Sequence, residues 1–249
     1  MNERGRSSAR ARERERIVAE YRRREAAVAT DLYAAWNPAA QHLVHARKRL
    51  AAGLLHRAGL FPDARTCCLE VGYGRCGWLA DLIGWGARER NLYGVEIDPR
   101  RAVHARLRLP AARLTIADAA RLPWPVDSFH LVVMSTVLTS ILDPEVRRQI
   151  AAETVRVIRP GGALLWYDFA IDNPSNTAVS GIGRREIRRL FPELRGPVRS
   201  TTLAPPIARR IAPHSWWLAE LLESLPLLRT HLLGVLVKPP SQPEKSPAA

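Results

Sequence analysis

The segment Cys68-Leu69-Glu70-Val71-Gly72-Tyr73-Gly74-Arg75-Cys76-Gly77 constrains the fold of this chain more than any other stretch. An apolar run passes through one acid into glycines, and a helix-like stretch opens at Trp78. Glycine lets the backbone turn sharply and approach a ligand closely. The helix start behind it offers N–H groups that have no partner within the helix. A strand, a glycine loop and a helix in this order make a nucleotide-cofactor loop, and point to an enzyme.

Which cofactor the loop takes is not set by the glycines alone. Gly72, Gly74 and Gly77 fit G-x-G-x-x-G, and Glu96 follows about twenty residues later, as a dinucleotide fold requires. Three features point elsewhere. Glu70 stands two places before the first glycine, where a carboxylate repels a pyrophosphate but suits a cation or N–H donors. Asn91–Pro99 reads as a second buried strand ending in Glu96, with Pro99 opening the next helix. An acid there can accept from the two hydroxyls of a ribose. Leu114–Ala119 is a third strand with Asp118 just past its end, placed to accept from an adenine amino group.

With these motifs together, the chain resembles the class I S-adenosylmethionine-dependent methyltransferases of the methyltransferase type 11 family. The resemblance rests on Glu70–Gly77, Gly94-Val95-Glu96, Ala117-Asp118-Ala119 with Leu122-Pro123, Phe129–Val133 and Glu153–Gly162, and covers roughly residues 65–170. It implies S-adenosyl-L-methionine as the cofactor. By resemblance, Gly72 and Gly74 meet its methionine end, Glu96 holds the ribose and Asp118 the adenine. Glu70, Tyr73, Ile97, Ala119 and Ser135 are further cofactor-binding candidates. Two positions depart from the family pattern. Cys76 stands where the third glycine is usual, with Gly77 one place later, and His130 follows Phe129 where an aspartate is frequent. The first suggests a slightly reshaped loop, and the second a half-buried histidine beside the sheet.

The alternating pattern predicts an α/β, Rossmann-like fold with helices on both faces. Strands are expected near Thr66, Asn91, Arg113, Phe129 and Gly162, then at Val198–Leu203 and Thr230–Val237. The resemblance makes this a mostly parallel seven-stranded sheet with an antiparallel last strand. Pro160-Gly161-Gly162 is expected as a helix-stopping turn, and Ala208–Ser224 as one long helix. Residues 1–60 are expected to be a helical extension with a disordered beginning, 61–238 the Rossmann-like domain, and 239–249 a disordered tail. Helix-like patterns run from Ile17 to Tyr33 and from Gln41 to Ala58. Tyr33 and Trp36 are candidates for a wall over the cofactor.

Composition narrows the class. The apolar fraction of 47% supports a substantial core. No apolar run reaches the length of a membrane span, since Leu225–Val237 is broken by Pro226, Arg229 and His231. There is no apolar leader core near Met1, so a cytoplasmic protein is expected. Three cysteines make no disulfide framework, and no Cys/His/Asp spacing indicates a metal site. The net charge of +14 attracts phosphate in principle. However, the excess is arginine, with lysine only at positions 48, 238 and 245, and no aromatics interleave with it. The nucleic-acid signal is therefore weak.

Acceptor chemistry belongs outside the carboxyl ends of the strands. Asp168 is the candidate catalytic base, with Asn173 and Asn176 on the loop that follows it, and His214 just before Trp216-Trp217 as possible walls. The expected reaction is methyl transfer to a small molecule, sugar or glycolipid precursor, on oxygen. An RNA or protein methyltransferase and a non-catalytic binding protein are the alternatives. From Arg184 to Arg210 eight arginines face two glutamates, which suits an anionic acceptor or a solvated basic face.

Overall fold

The computed structural model describes residues 3–27, 30–74, 76–172 and 176–240. Arg75, Asn173 and residues 241–249 of the expected tail lie outside the described residues.

Helix starts are written plainly in the sequence. Asn37-Pro38, Asp98-Pro99 and Asp143-Pro144 open α2 (Pro38–Arg57), α4 (Pro99–Arg108) and α5 (Pro144–Val157). In each, proline sits where its missing N–H is not needed, and the preceding side chain accepts from freed backbone donors. Asp143 Oδ1 takes Glu145 N at 2.8 Å and Val146 N at 3.1 Å, and Asp98 Oδ1 takes Arg100 N at 2.9 Å. Before them α1 spans Glu3–Ala27, so the chain is helical from Glu3 where a disordered beginning is expected. Glu13 and Ile17 on α1 are buried.

The strands are β1 (Cys68–Val71), β2 (Leu92–Glu96), β3 (Arg113–Ile116), β4 (Phe129–Ser135), β5 (Ile158–Phe169), β6 (Val198–Leu203) and β7 (Arg229–Val237). They form one sheet in the order β3-β2-β1-β4-β5-β7-β6. The first five run parallel, and β7 is antiparallel to both β5 and β6. All four residues of β1 are buried, as a central parallel strand requires.

The two-residue alternation of the strands splits the core in two. Leu69, Val71, Val132, Met134, Leu164 and Trp166 face α5 and α1. Cys68, Leu131, Val133, Leu165 and Tyr167 face α2, with α3 (Gly77–Gly84) and α4 beside it. A small third cluster joins Ala39 and Leu203 to α7 (Pro205–Ile211) and α8 (Trp216–Ser224) through Ala208, Ala212 and Ala219. Between β5 and β6 lies α6 (Arg184–Leu190).

Two expectations change. Pro160-Gly161-Gly162 is part of β5 rather than a turn before it. Phe129 pairs with Ile158 and Leu131 with Ala163, so the extra residues loop out as a bulge with Gly161 at φ 76°. The long helix expected over Ala208–Ser224 is two helices. Pro213 has no N–H to continue α7, and Ser215 caps α8 by accepting from Leu218 N at 3.2 Å.

Candidate functional site

The site is built where β1 leaves the sheet. Gly72 has φ 71°, and a Cβ on it would stand 2.7 Å from Val137 Cγ2, so glycine is needed twice over. Gly72 N bonds back to Val95 O at 2.8 Å. Gly74 also has positive φ, as does Cys76 at 69° immediately before α3. Cys76 thus keeps the turn that glycine would make easily, with a side chain in the left-handed region. The reshaped loop expected there is a strained one.

Glu70 lies beneath this loop, not in it. Alternation turns Val71 toward α5 and Glu70 toward α3. There its Oε2 accepts from Leu79 N at 3.0 Å, while Trp78 N also donates to the carboxylate. Burial pushes its pKa up to about 8. The carboxyl group occupies N–H groups of the helix start that a pyrophosphate would otherwise use, which agrees with the sequence argument against a dinucleotide. It is a cap for α3 and not part of the cavity wall.

Glu96, at the end of β2, is buried and ties the loops together. Its Oε2 accepts from Gly74 N at 2.9 Å, and its Oε1 from Ile97 N at 2.8 Å and Asp98 N at 3.0 Å. Asp118 Oδ1 accepts from Ala120 N at 2.9 Å. Both acids line a cavity at the carboxyl end of the sheet. Val71, Gly72, Val95 and Ile97 complete one side, and Ala117 and Ala119 the next. Val137, Ile141, Val146 and Ile150 form an apolar flank.

The cavity is roofed by α1 through Glu13, Arg14, Ile17 and Tyr21. Residues 13, 17 and 21 are one helical stripe, four apart. Glu13 accepts from Leu142 N at 2.5 Å and from Arg16 at 2.8 Å. Burial alone would raise its pKa, but the bonds from Arg16 and Leu142 outweigh it and hold the group below the ordinary value. Arg16 also donates to Ser140 O at 2.5 Å. Tyr21 has a raised pKa, first from burial and then from the charge of Glu96. The guanidinium of Arg101 lies 3.9 Å from its ring centroid.

Among the expected site residues, the structure brings Gly72, Glu96, Ile97, Asp118 and Ala119 onto one wall. Glu70, Tyr73, Gly74 and Ser135 do not line the cavity. Tyr73 points to the opposite face of the sheet, where its ring fills the space above Gly94 and its hydroxyl has no hydrogen-bond partner among the described residues. Gly74 acts through its N–H on Glu96. Ser135 ends β4 half-buried, two residues before Val137.

Asp168 is also corrected. Its carboxyl is fully buried, accepting from Thr139 Oγ1 at 2.5 Å and Trp166 Nε1 at 3.1 Å, and burial raises its pKa to about 7. It braces the turn at 138–140 that meets Arg16, and it is absent from the cavity wall. Asn176 accepts from Ala178 N at 3.2 Å and serves its own loop. Tyr33, Trp36, His214 and Trp217 are exposed and do not line this cavity. His130 is half-buried beside the sheet, accepting from Cys67 N at 3.2 Å through Nδ1.

The sequence reading expected a wall over the cofactor from the N-terminal helices but named Tyr33 and Trp36 for it, and missed the residues of α1 that form the roof and the apolar flank. Their signal was the Glu13, Ile17 and Tyr21 spacing inside an otherwise charged helix, together with Val137, Ile141, Val146 and Ile150 around Asp143-Pro144. S-adenosylmethionine fits this cavity. It has two carboxylates for hydroxyl and amino donors, small alanines beside Asp118, an apolar flank for a flat base, and a glycine whose Cβ would intrude.

Comparison with known proteins agrees. Residues 68–162 match the family model of a methyltransferase domain. No curated protein matches the chain. A SAM-dependent methyltransferase from Methanosarcina mazei shares the fold at 15% identity and a TM-score of 0.55, over 74% of this chain and 97% of that one. Geranyl diphosphate C-methyltransferase from Streptomyces coelicolor does so at 14% identity and a TM-score of 0.57, over 76% and 78%. The [4+2]-cyclase SpnF is as close in shape, at 16% identity and a TM-score of 0.57 over 78% and 82%. Fold alone therefore leaves the reaction open, and the family match over residues 68–162 points to methyl transfer. Those residues match a methyltransferase domain, and the chain carries the fold of S-adenosylmethionine-dependent methyltransferases of known structure.

Proposed function

We propose that this enzyme methylates a hydroxyl of a small molecule, sugar or glycolipid precursor. We also assign Glu96 to the ribose hydroxyls and Asp118 to the adenine amino group. The observation that carries the reading is the shape of the site. Two acids share one wall of a cavity, and a helix roofs it. A roofed cavity of this kind suits a cofactor and a small acceptor group, not a duplex or a folded protein surface.

When bound, the cofactor supplies a methyl group already activated on a sulfonium. The protein's task is then positioning and the exclusion of water. Glu96 and the N–H groups it holds fix the loop around the cofactor. The roof, through Ile17 and Tyr21, keeps solvent from the wall. Asp168 is held away from this space, so the reading needs no carboxylate base there.

The test is titration calorimetry followed by turnover. S-adenosylmethionine should bind in the micromolar range (~8 kcal/mol), and NAD should not. Methyl transfer is then followed by mass spectrometry with hydroxyl and amine acceptors side by side. Transfer confined to amines, or to RNA in a complex that survives physiological salt, overturns the proposed acceptor.

A further inference from the structure

Helix α8 leaves large apolar side chains outside. Its inward face carries Ala219 and Glu223, both buried, with Leu222 half-buried beside them. Its outward face carries Trp217 at 73% exposure, Leu221 at 47% and Leu225 at 50%, four residues apart, followed by Leu227 at 98%. An ordinary surface helix turns such side chains toward the core. The register is pinned: Glu223 Oε1 accepts from Thr202 N at 3.0 Å, and its Oε2 lies 3.6 Å from His42 Nε2. The helix rests on alanines 39, 208 and 212. Its other acid, Glu220, is held by Arg49 at 2.8 Å.

Two further facts say what this face meets. Arg209 and Arg210, on the adjoining α7, are exposed and have no partner among the described residues. β6 ends at Leu203 and β7 begins at Arg229, so α7, α8 and the turn at 226–228 stand at the carboxyl end of the sheet, as the cavity does. The described chain leaves β7 beside Lys238, at the opposite end.

We propose that Trp217, Leu221, Leu225 and Leu227, flanked by Arg209 and Arg210, dock the enzyme on an anionic lipid bilayer with its site toward the membrane. Indole and leucine side chains bury shallowly at the headgroup boundary, and arginines beside them pair with lipid phosphate. A second copy is the poorer occupant. A two-fold contact through this face would set these arginines against their own symmetry mates, in a chain of net charge +14. Resting on the methyl-transfer reading above, docking narrows the acceptor to an amphiphile whose polar head reaches the cavity from the bilayer.

The experiment is co-sedimentation of the full chain with vesicles of phosphatidylcholine alone or mixed with phosphatidylglycerol. Three variants run in parallel: Trp217→Ser/Leu221→Ser/Leu225→Ser/Leu227→Ser, Arg209→Glu/Arg210→Glu, and Leu227→Ser alone at the most exposed position. The wild type should sediment with the anionic vesicles only, and the first two variants should lose about ten-fold or more in partitioning. Their cofactor affinity should match the wild type, which shows that they fold. Equal sedimentation of wild type and variants, or none by the wild type, overturns the docking. So does a wild-type dimer in light scattering that the serine variants dissociate, because a second copy then covers the face. If vesicles bind but cofactor does not, the docking stands and the methyl-transfer reading falls.

Discussion

The floor of the cavity comes from strand ends, and its roof from one charged helix. On the floor, Gly72 N, Gly74 N, Ile97 N and Asp98 N each have a partner within the protein, and Val71 and Val95 are buried. The roof is a 25-residue helix rich in arginine and glutamate. It is held by Ile17, by Glu13 on Leu142 N, by Arg16 on Ser140 O and by Tyr21. Deforming the floor breaks buried hydrogen bonds; lifting the roof breaks a few half-exposed ones. Partly exposed ion pairs contribute about 0–1 kcal/mol each. The floor is thus suited to holding a ligand in one geometry, and the roof to letting it in and out.

The strongest way to break this contrast is Glu96→Ala. It removes the acceptor proposed for the ribose and orphans three backbone N–H groups at once. Each hydrogen bond to a charged group contributes about 1.5–3 kcal/mol. Cofactor affinity should fall at least about ten-fold, and the melting temperature of the ligand-free protein should fall as well. An unchanged melting temperature would show that the floor is not tied together by this carboxylate. Next in size is Gly72→Ala. The added Cβ must push Val137 aside from 2.7 Å and sit at φ 71°, a strain of about 1–3 kcal/mol. Stability and affinity should drop together.

On the roof, Arg16→Ala should act differently. Its bonds to Glu13 and Ser140 O are half-exposed, so the equilibrium affinity should change by less than about ten-fold. The effect should lie in a faster cofactor off-rate, read by stopped flow, with little change in melting temperature. A roof variant that destabilises as much as Glu96→Ala would erase the distinction between the two regions.

The floor was legible in the sequence because its demands are local. A glycine at positive φ, an acid at a strand end and an Asp-Pro or Asn-Pro helix start each announce themselves. What misled was parity and burial. Glu70 stands beside Val71, and alternation turns it to the other face of β1. Tyr73 breaks the alternation: the turn at Gly72, with φ 71°, carries it to the face opposite Val71. Asp168 ends β5 as expected, but Trp166 and Thr139, which claim its carboxyl, lie two residues and twenty-nine residues away. The roof was faint because few of its residues face inward. The burial pattern of α8 follows from Glu223 reaching Thr202 and His42 across the fold, which no local signal reveals.

The smallest predicted effect is at Asp168, and it separates a brace from a base. The carboxyl has its pKa raised from the ordinary 3.8 to about 7, first by burial. The folded protein therefore keeps a proton that the unfolded chain gives up between these values. Stability must then decline as pH rises from about 4 to about 7, and level off above. Asn in its place cannot titrate, but its oxygen can still accept from Trp166 Nε1 while its amide faces Thr139 Oγ1. Asp168→Asn should thus be nearly neutral in acid and gain on the wild type across that window. Glu70 and His231, which titrate in both proteins, cancel from the difference. Melting temperatures of the pair measured across pH give the curve, and a flat difference would mean the group ionises normally in the folded state. Turnover completes the test: a brace leaves the rate near wild type in the Asn variant, whereas a proton acceptor for the hydroxyl would lose it with cofactor binding intact.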